Sequence, residues 1–144
     1  MTGASSPAIP SVQIETYRRT FRQRVQRDRE EREERRRQAL RAVWKKAPAI
    51  LAAYPSVRRA YLFGSIIRPG AFHPASDVDI ALEGTTASEY FAVWRGLERA
   101  LSGWTVDVRE ITAPSPFAHL IRETGILIYE RANLAYPLTA SVSG

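Results

Sequence analysis

From Tyr17 to Trp44 the chain runs without a glycine or a proline, and between Val25 and Ala39 it has no apolar residue. A stretch this charged cannot enter a core, where an unpaired charge is strongly penalised. Its Arg, Glu and Gln content favours helix, and the absence of breakers predicts one over residues 17–46. Opposite charges recur at helical spacing, with the acid first in Asp28–Arg32, Glu31–Arg35 and Glu33–Arg37. Each such pair contributes only about 0.2–0.5 kcal/mol, but several together hold a helix in water. The core must therefore be built by the residues that follow.

The apolar positions of this helix form two groups. Tyr17, Phe21 and Val25 lie four residues apart on one stripe, and Leu40, Val43, Trp44 and Ala47 make a second. The second stripe is predicted to pack on the domain. The first is predicted to project away and to need cover from a partner, a neighbouring copy or its own body. Residues 1–16 contain Gly, Ser, Pro and Thr without a period and read as a mobile tail. The expected organisation is a tail (1–16), a charged helix (17–46), a folded domain (47–132) and a loose C-terminal tail (133–144).

The net charge is +6, from 21 Lys and Arg against 15 Asp and Glu. Residues 18–46 hold thirteen of the basic and five of the acidic side chains, so that segment carries +8 and the remainder −2. The pI near 10.2 thus describes one helix, and it does not make the folded body a nucleic-acid binder. A chain of 144 residues has room for one domain. No apolar run reaches the roughly eighteen residues of a membrane span. MTGASSPAIPS lacks the basic start and apolar stretch of a secretory signal. The absence of cysteine removes disulfides, thiolate metal ligation and a thiol nucleophile, and it fits a cytoplasmic setting. His73 and His119 alone are too few for a histidine-rich metal site.

Beyond residue 47 the period changes. Pro48 is expected to begin a new turn of helix running through Tyr54 to Pro55. Arg59 to Phe63 reads as a short buried strand closed by Gly64-Ser65. Ile66-Ile67-Arg68 reads as one helical turn, broken by Pro69-Gly70. Asp77 to Leu82 alternates and predicts a second strand. Ala87 to Leu101 predicts an amphipathic helix that ends near Gly103. Trp104 to Ile111 predicts a third strand, Pro116 to Glu123 a short helix, and Gly125 to Tyr129 a final strand. Trp44, Trp94 and Trp104 are expected in the core.

Three of the acids fall in predicted strands. Asp77 and Asp79 are two residues apart, so in a strand both point the same way. Two close carboxylates repel and raise one another's pKa, and a divalent cation removes that penalty. Mg²⁺ takes oxygen ligands, one or two carboxylates plus phosphate oxygens. Asp107 lies between valines in Thr-Val-Asp-Val-Arg, and if its strand neighbours the second, all three acids converge on one cation pair. Eleven residues separate Ser65 from Asp77. The glycine of Gly64-Ser65 permits close backbone approach, and the amides opening the next turn suit phosphate. A phosphate cradle facing a metal cradle describes a site for a nucleoside triphosphate with Mg²⁺.

Leu62-Phe63-Gly64-Ser65, followed by Ser76-Asp77-Val78-Asp79-Ile80, resembles the Gly-Ser and Asp-x-Asp signature of the DNA polymerase β-like nucleotidyltransferases. The small size is most similar to the minimal nucleotidyltransferases that act as antitoxins beside HEPN ribonuclease toxins. The resemblance covers about residues 58–130 and excludes the charged helix. It implies an α+β fold: a small mixed sheet with helices packed on one face, preceded here by the long charged helix. It implies that Asp77 and Asp79 bind two Mg²⁺ ions, and that Asp107 binds one of them and helps activate the attacking hydroxyl. Gly64 and Ser65 would hold the triphosphate. Ile66-Ile67 stands where the family often has small or polar residues.

A lone Gly-Ser is often only a turn, and a lone Asp-x-Asp only a strand end. Here turn, spacing, two acids and a later strand acid appear together and in order. Ser76 either contacts phosphate or metal-bound water or simply turns the chain before Asp77. Arg68 either reaches a phosphate or is a solvated loop arginine. The expected function is transfer of AMP from ATP to a hydroxyl of a protein partner, a HEPN toxin, with release of pyrophosphate. Two rivals stand beside it: a catalytically silent antitoxin acting by binding alone, and an RNA-directed transferase or binder using the arginine-rich helix. The glutamates interleaved from Asp28 to Glu34 argue against a continuous phosphate track. A homo-oligomer through the N-terminal helix is a further expectation, and a membrane partner is not.

Overall fold

The computed structural model describes residues 10–112 and 114–132. The first nine residues and the expected tail over 133–144 lie outside the described residues. The elements are α1 (Ser11–Ala52), β1 (Arg59–Phe63), a 3-10 turn (Gly64–Ile67), β2 (Val78–Glu83), α2 (Ala87–Ala100), β3 (Val106–Ile111), α3 (Pro116–Thr124) and β4 (Ile126–Glu130).

Two boundaries of the first helix differ from expectation. It starts at Ser11, so residues 11–16 are helix rather than tail. Nothing between Pro10 and the charged run breaks a helix, and propagation is favourable once a helix exists. It also runs through Pro48 without interruption, to Ala52. Proline inside a helix removes one hydrogen bond and costs about 3 kcal/mol. Ala47 and Leu51, fully buried on either side, outweigh that cost. With Ala39 and Val43 they make a four-residue-spaced line against the sheet. Trp44 lies about 100° around the helix from Val43 and is half exposed, so its expected place in the core is corrected. Trp94 and Trp104 do pack against the core.

The four strands lie in the order β3-β2-β1-β4. β1 is antiparallel to β2 and β4, and β2 is parallel to β3. The mixed sheet follows from the connections: β1 turns back into β2 through residues 64–77, while β2 reaches β3 through α2, as a parallel pair requires. Alternation gives the sheet two faces. Leu62, Val78, Ile80, Leu82, Val106 and Val108 meet α1 and α2 in the main core. Tyr61, Ala81 and Ile111 meet Ala118 and Ile121 of α3. The α+β class is as expected, but α3 covers the second face, not the face of α1 and α2. It covers only part of it, leaving the end near Asp79 and Asp107 open.

β3 is an edge strand, and α2 protects it. Thr105 turns its carbonyl to β2, accepting from Val78 N, so the next carbonyls alternate outward. Trp94 Nε1 donates to Val106 O at 3.0 Å, and the Tyr90 hydroxyl donates to Val108 O. Satisfied carbonyls make a poor template for another strand. At the far end of β2, the buried Glu83 accepts from Arg122 of α3 at 2.9 Å and from Arg59 of β1 at 3.4 Å. It ties both layers to the sheet. Charged hydrogen bonds contribute about 1.5–3 kcal/mol, so Glu83→Ala is expected to lower stability by about 2 kcal/mol, read as a lower urea midpoint at unchanged slope.

Candidate active site

The site is built where β1 ends and β2 and β3 begin. Phe63, the last residue of β1, pairs with Asp79 of β2, and Asp79 pairs with Asp107 of β3. The two acids therefore lie side by side on neighbouring strands, on the face that α3 leaves open. Asp77 immediately precedes β2 instead of lying within it, one residue off the expected boundary. It still acts on Asp79. The Asp79 carboxyl is pushed up to about 6, first by burial, then by the charges of Asp107 and Asp77. The structure thus brings the three carboxylates into one electrostatic neighbourhood.

They do not close into a cage. Asp107 Oδ2 accepts from Arg109 Nε at 3.3 Å, and among the described residues no three His, Asp or Glu side chains form a ready metal site. Arg109 shares the face of Asp107 because it is two residues along the same strand. The alternation of β3 carried that signal in the sequence. An open pair of carboxylates with mutual repulsion fits Mg²⁺, which keeps several positions for water and phosphate oxygen.

Gly64 faces these acids. Its φ is +77°, a conformation that side chains disfavour. A Cβ there would stand 2.2 Å from Asp79 Oδ2. Glycine is thus needed twice, for the backbone and for the carboxylate behind it. Gly64 and Ser65 open the 3-10 turn, whose Ser65 carbonyl accepts from Arg68 N. The Arg68 side chain is exposed just beyond the turn. Ser76 Oγ accepts from His73 N at 2.8 Å, so its hydroxyl serves the turn leading into Asp77.

Two residues of α1 reach this region and had no sequence signal. Arg36 NH1 donates to Ile66 O at 2.9 Å, and Glu33 Oε2 accepts from Gly70 N at 3.3 Å. The pairings expected along the helix at four-residue spacing are replaced here by Glu33–Arg36 at 2.7 Å, three residues apart. Glu33 is held below the usual carboxylate range, mainly by the Arg36 hydrogen bond.

A mixed four-stranded sheet carrying two acids at the start of parallel strands, opposite a Gly-Ser turn, defines a nucleotidyltransferase core. The family model "Polymerase beta, Nucleotidyltransferase" matches residues 45–134, and the chain belongs to that family. No curated protein matches. Four chains of solved structures match. One is from a crystal structure of a mutant of the toxin–antitoxin pair MntA–HpeT, with 21% identity and a TM-score of 0.48, covering 65% of this chain and 77% of that one. Among the described residues no helix is long and apolar enough to cross a membrane.

Proposed function

We propose that the protein is a Mg²⁺-dependent enzyme that transfers AMP from ATP to a hydroxyl of a protein partner, and that this partner is a HEPN-type toxin. The observation that carries the chemistry is the pairing of Asp79 with Asp107 under the Gly64 turn. Asp77, Asp79 and Asp107 would hold the metal ions, which would neutralise phosphate charge and draw electrons from the α-phosphorus. Gly64 and Ser65 fix the leaving pyrophosphate through the turn amides. Arg68, exposed beside that turn, adds a charged donor to the phosphates. Asp107 orients the attacking hydroxyl and receives its proton. Arg109 holds Asp107 in place until the nucleotide arrives.

In-line displacement requires the acceptor on the side of the phosphorus away from the leaving group. Gly64 lies on the β1 side of Asp79, so the acceptor enters from the β3 side. There a groove of about 520 Å³ opens, lined by Tyr90, Phe91, Arg109 and Phe117. Phe91 is 62% exposed, so Phe91→Ala should leave folding intact. It is expected to raise the KM for the acceptor about tenfold with the KM for ATP unchanged.

The antitoxin role is supported by the resemblance to minimal nucleotidyltransferases and by the projecting half of α1. Tyr17 and Phe21 are 69% and 66% exposed and suit a partner's apolar groove. Incubation with Mg²⁺, labelled ATP and the adjacent gene's product should give label transfer that Asp77→Asn and Asp79→Asn abolish. Transfer surviving both substitutions overturns the mechanism. Neutralisation of the partner by the double variant would instead identify the silent antitoxin. The RNA reading draws on residues 16–27, which hold five arginines and no acid. It predicts RNA affinity that falls about tenfold or more between 50 and 200 mM salt.

A further inference from the structure

We propose that Glu33 and Arg36 are positioning residues for the phosphate-binding turn, so that the arginine-rich helix is part of the nucleotide site. The inference rests on the nucleotidyltransferase reading and extends it outside residues 45–134, the span of the family match. Three observations carry it.

The first is the pattern of contact. The fully buried line of α1 begins only at Ala39, yet Glu33 and Arg36 are drawn into the body one to two turns earlier. Their side chains are 21% and 12% exposed. What they touch is the turn. Arg36 takes the carbonyl of Ile66, and Glu33 takes the amide of Gly70. Arg68 lies between those two points, so both ends of its loop are fixed to one helix.

The second is the geometry of the pair. Arg36 Nε lies 3.1 and 3.0 Å from the two Glu33 oxygens, and NH2 lies 2.7 Å from Oε1. A guanidinium chelated in this way has a fixed plane, which leaves NH1 aimed at Ile66 O. A lysine could reach that carbonyl and pair with Glu33, but it lacks the planar fork that fixes the orientation.

The third is polarity. The 3-10 turn presents its amides at Gly64 and Ser65 and its carbonyls at Ile66 and Ile67. Arg36 hydrogen-bonds the turn only at its carbonyl end and so leaves the amide end to a phosphate. The turn has only four residues, and Pro69-Gly70 follow after Arg68, so beyond the buried Ile66 and the Arg68 N to Ser65 O hydrogen bond its shape depends on contacts from outside.

The test uses the full chain, with Mg²⁺-ATP as the probe. Amide hydrogen exchange of residues 65–71, measured without nucleotide, should quicken at least fivefold in Arg36→Ala while β1 and β2 keep their protection. Calorimetry should show Mg²⁺-ATP bound at least fivefold more weakly by Arg36→Ala and about twofold to threefold more weakly by Glu33→Gln. Guanidinium ion at about 20 mM should restore at least half of the loss in Arg36→Ala, whereas sodium chloride at the same strength should not. The Arg36→Lys variant should remain impaired. Unchanged exchange, or Mg²⁺-ATP affinity within twofold of the wild type in Arg36→Ala, overturns the proposal. A general drop in protection across the sheet without guanidinium rescue also overturns it, because it shows a purely structural role. The underlying reading fails differently: Mg²⁺-ATP affinity would then be indifferent to Asp77→Asn and Asp79→Asn as well.

Discussion

Asp79→Asn is expected to cut nucleotide transfer by at least a thousandfold and to make the metal-free protein more stable. The first effect follows from what the carboxylate does. It stands between Asp77 and Asp107 and is the one acid that both neighbours push. Losing it removes a metal ligand at the centre of the site, and a thousandfold is about 4 kcal/mol of transition-state stabilisation, within the range of one well-placed electrostatic contact. The second effect follows from the same geometry. A rise from 3.8 to about 6 corresponds to about 3 kcal/mol at full strength. Asp79 is only half-buried, so screening reduces this to about 1–2 kcal/mol.

The sign is fixed by proton linkage. The folded protein holds this proton more tightly than the unfolded chain does. The penalty is therefore absent below about pH 4, grows between about pH 4 and 6, and is complete above that. Asp79→Asn should remove that slope. Glu33, whose carboxyl is held low, slopes the other way, so the measurement is the difference between the two proteins. Melting curves from pH 4 to 8 without metal should diverge as pH rises, with the variant several degrees more stable at pH 7.5. Adding Mg²⁺ should raise the melting temperature of the wild type and leave that of the variant nearly unchanged. A variant less stable than the wild type at pH 7.5 would mean that the acids are not in conflict.

Gly64→Ala is expected to damage both stability and transfer. The positive φ strains any side chain by about 1 kcal/mol or more. The new Cβ would also displace the Asp79 carboxylate, since 2.2 Å is far inside contact distance. Either the turn or the Asp79 side chain must move, and the two belong to opposite halves of the site. A loss of about 2–3 kcal/mol in stability is expected, with transfer reduced at least a hundredfold even at temperatures where the variant is folded. Pairing it with Asp79→Asn provides the check. If the clash is with that carboxylate, the stability effects of the two substitutions will not add, because asparagine carries no charge to be pressed against its neighbours. Gly70, with φ +81° but open space around it, is the control. Gly70→Ala should cost only the backbone strain and spare the acids.

Local pattern was enough to read several features from the residues alone. The charged run had to be a helix, because nothing else accommodates thirteen basic and five acidic side chains without breakers. The strand around Asp79 was legible because acids among valines and isoleucines alternate. The turn at Gly64-Ser65 was legible because it interrupts an apolar strand. Each of these depends on residues within a few positions of one another, and so does the choice of Asp77, Asp79 and Asp107 as candidates.

Other features depended on distance along the chain and needed the assembled sheet. Trp44 was assigned to the core from spacing alone, yet the sheet takes the line through Ala39, Val43, Ala47 and Leu51 and leaves the indole half exposed. The short helix α3 was placed beside the other helices, but its Ala118 and Ile121 fill the space over Ala81 on the opposite face. Glu33 and Arg36 looked like any other pair on a solvated helix until the fold carried Ile66 and Gly70, thirty and more residues away, to within hydrogen-bond reach. Periodicity and residue chemistry determined which segments form and which side chains can do chemistry. Which face each segment buries, and which distant groups meet, was decided only by packing, because those free energies arise between residues that the chain order keeps apart.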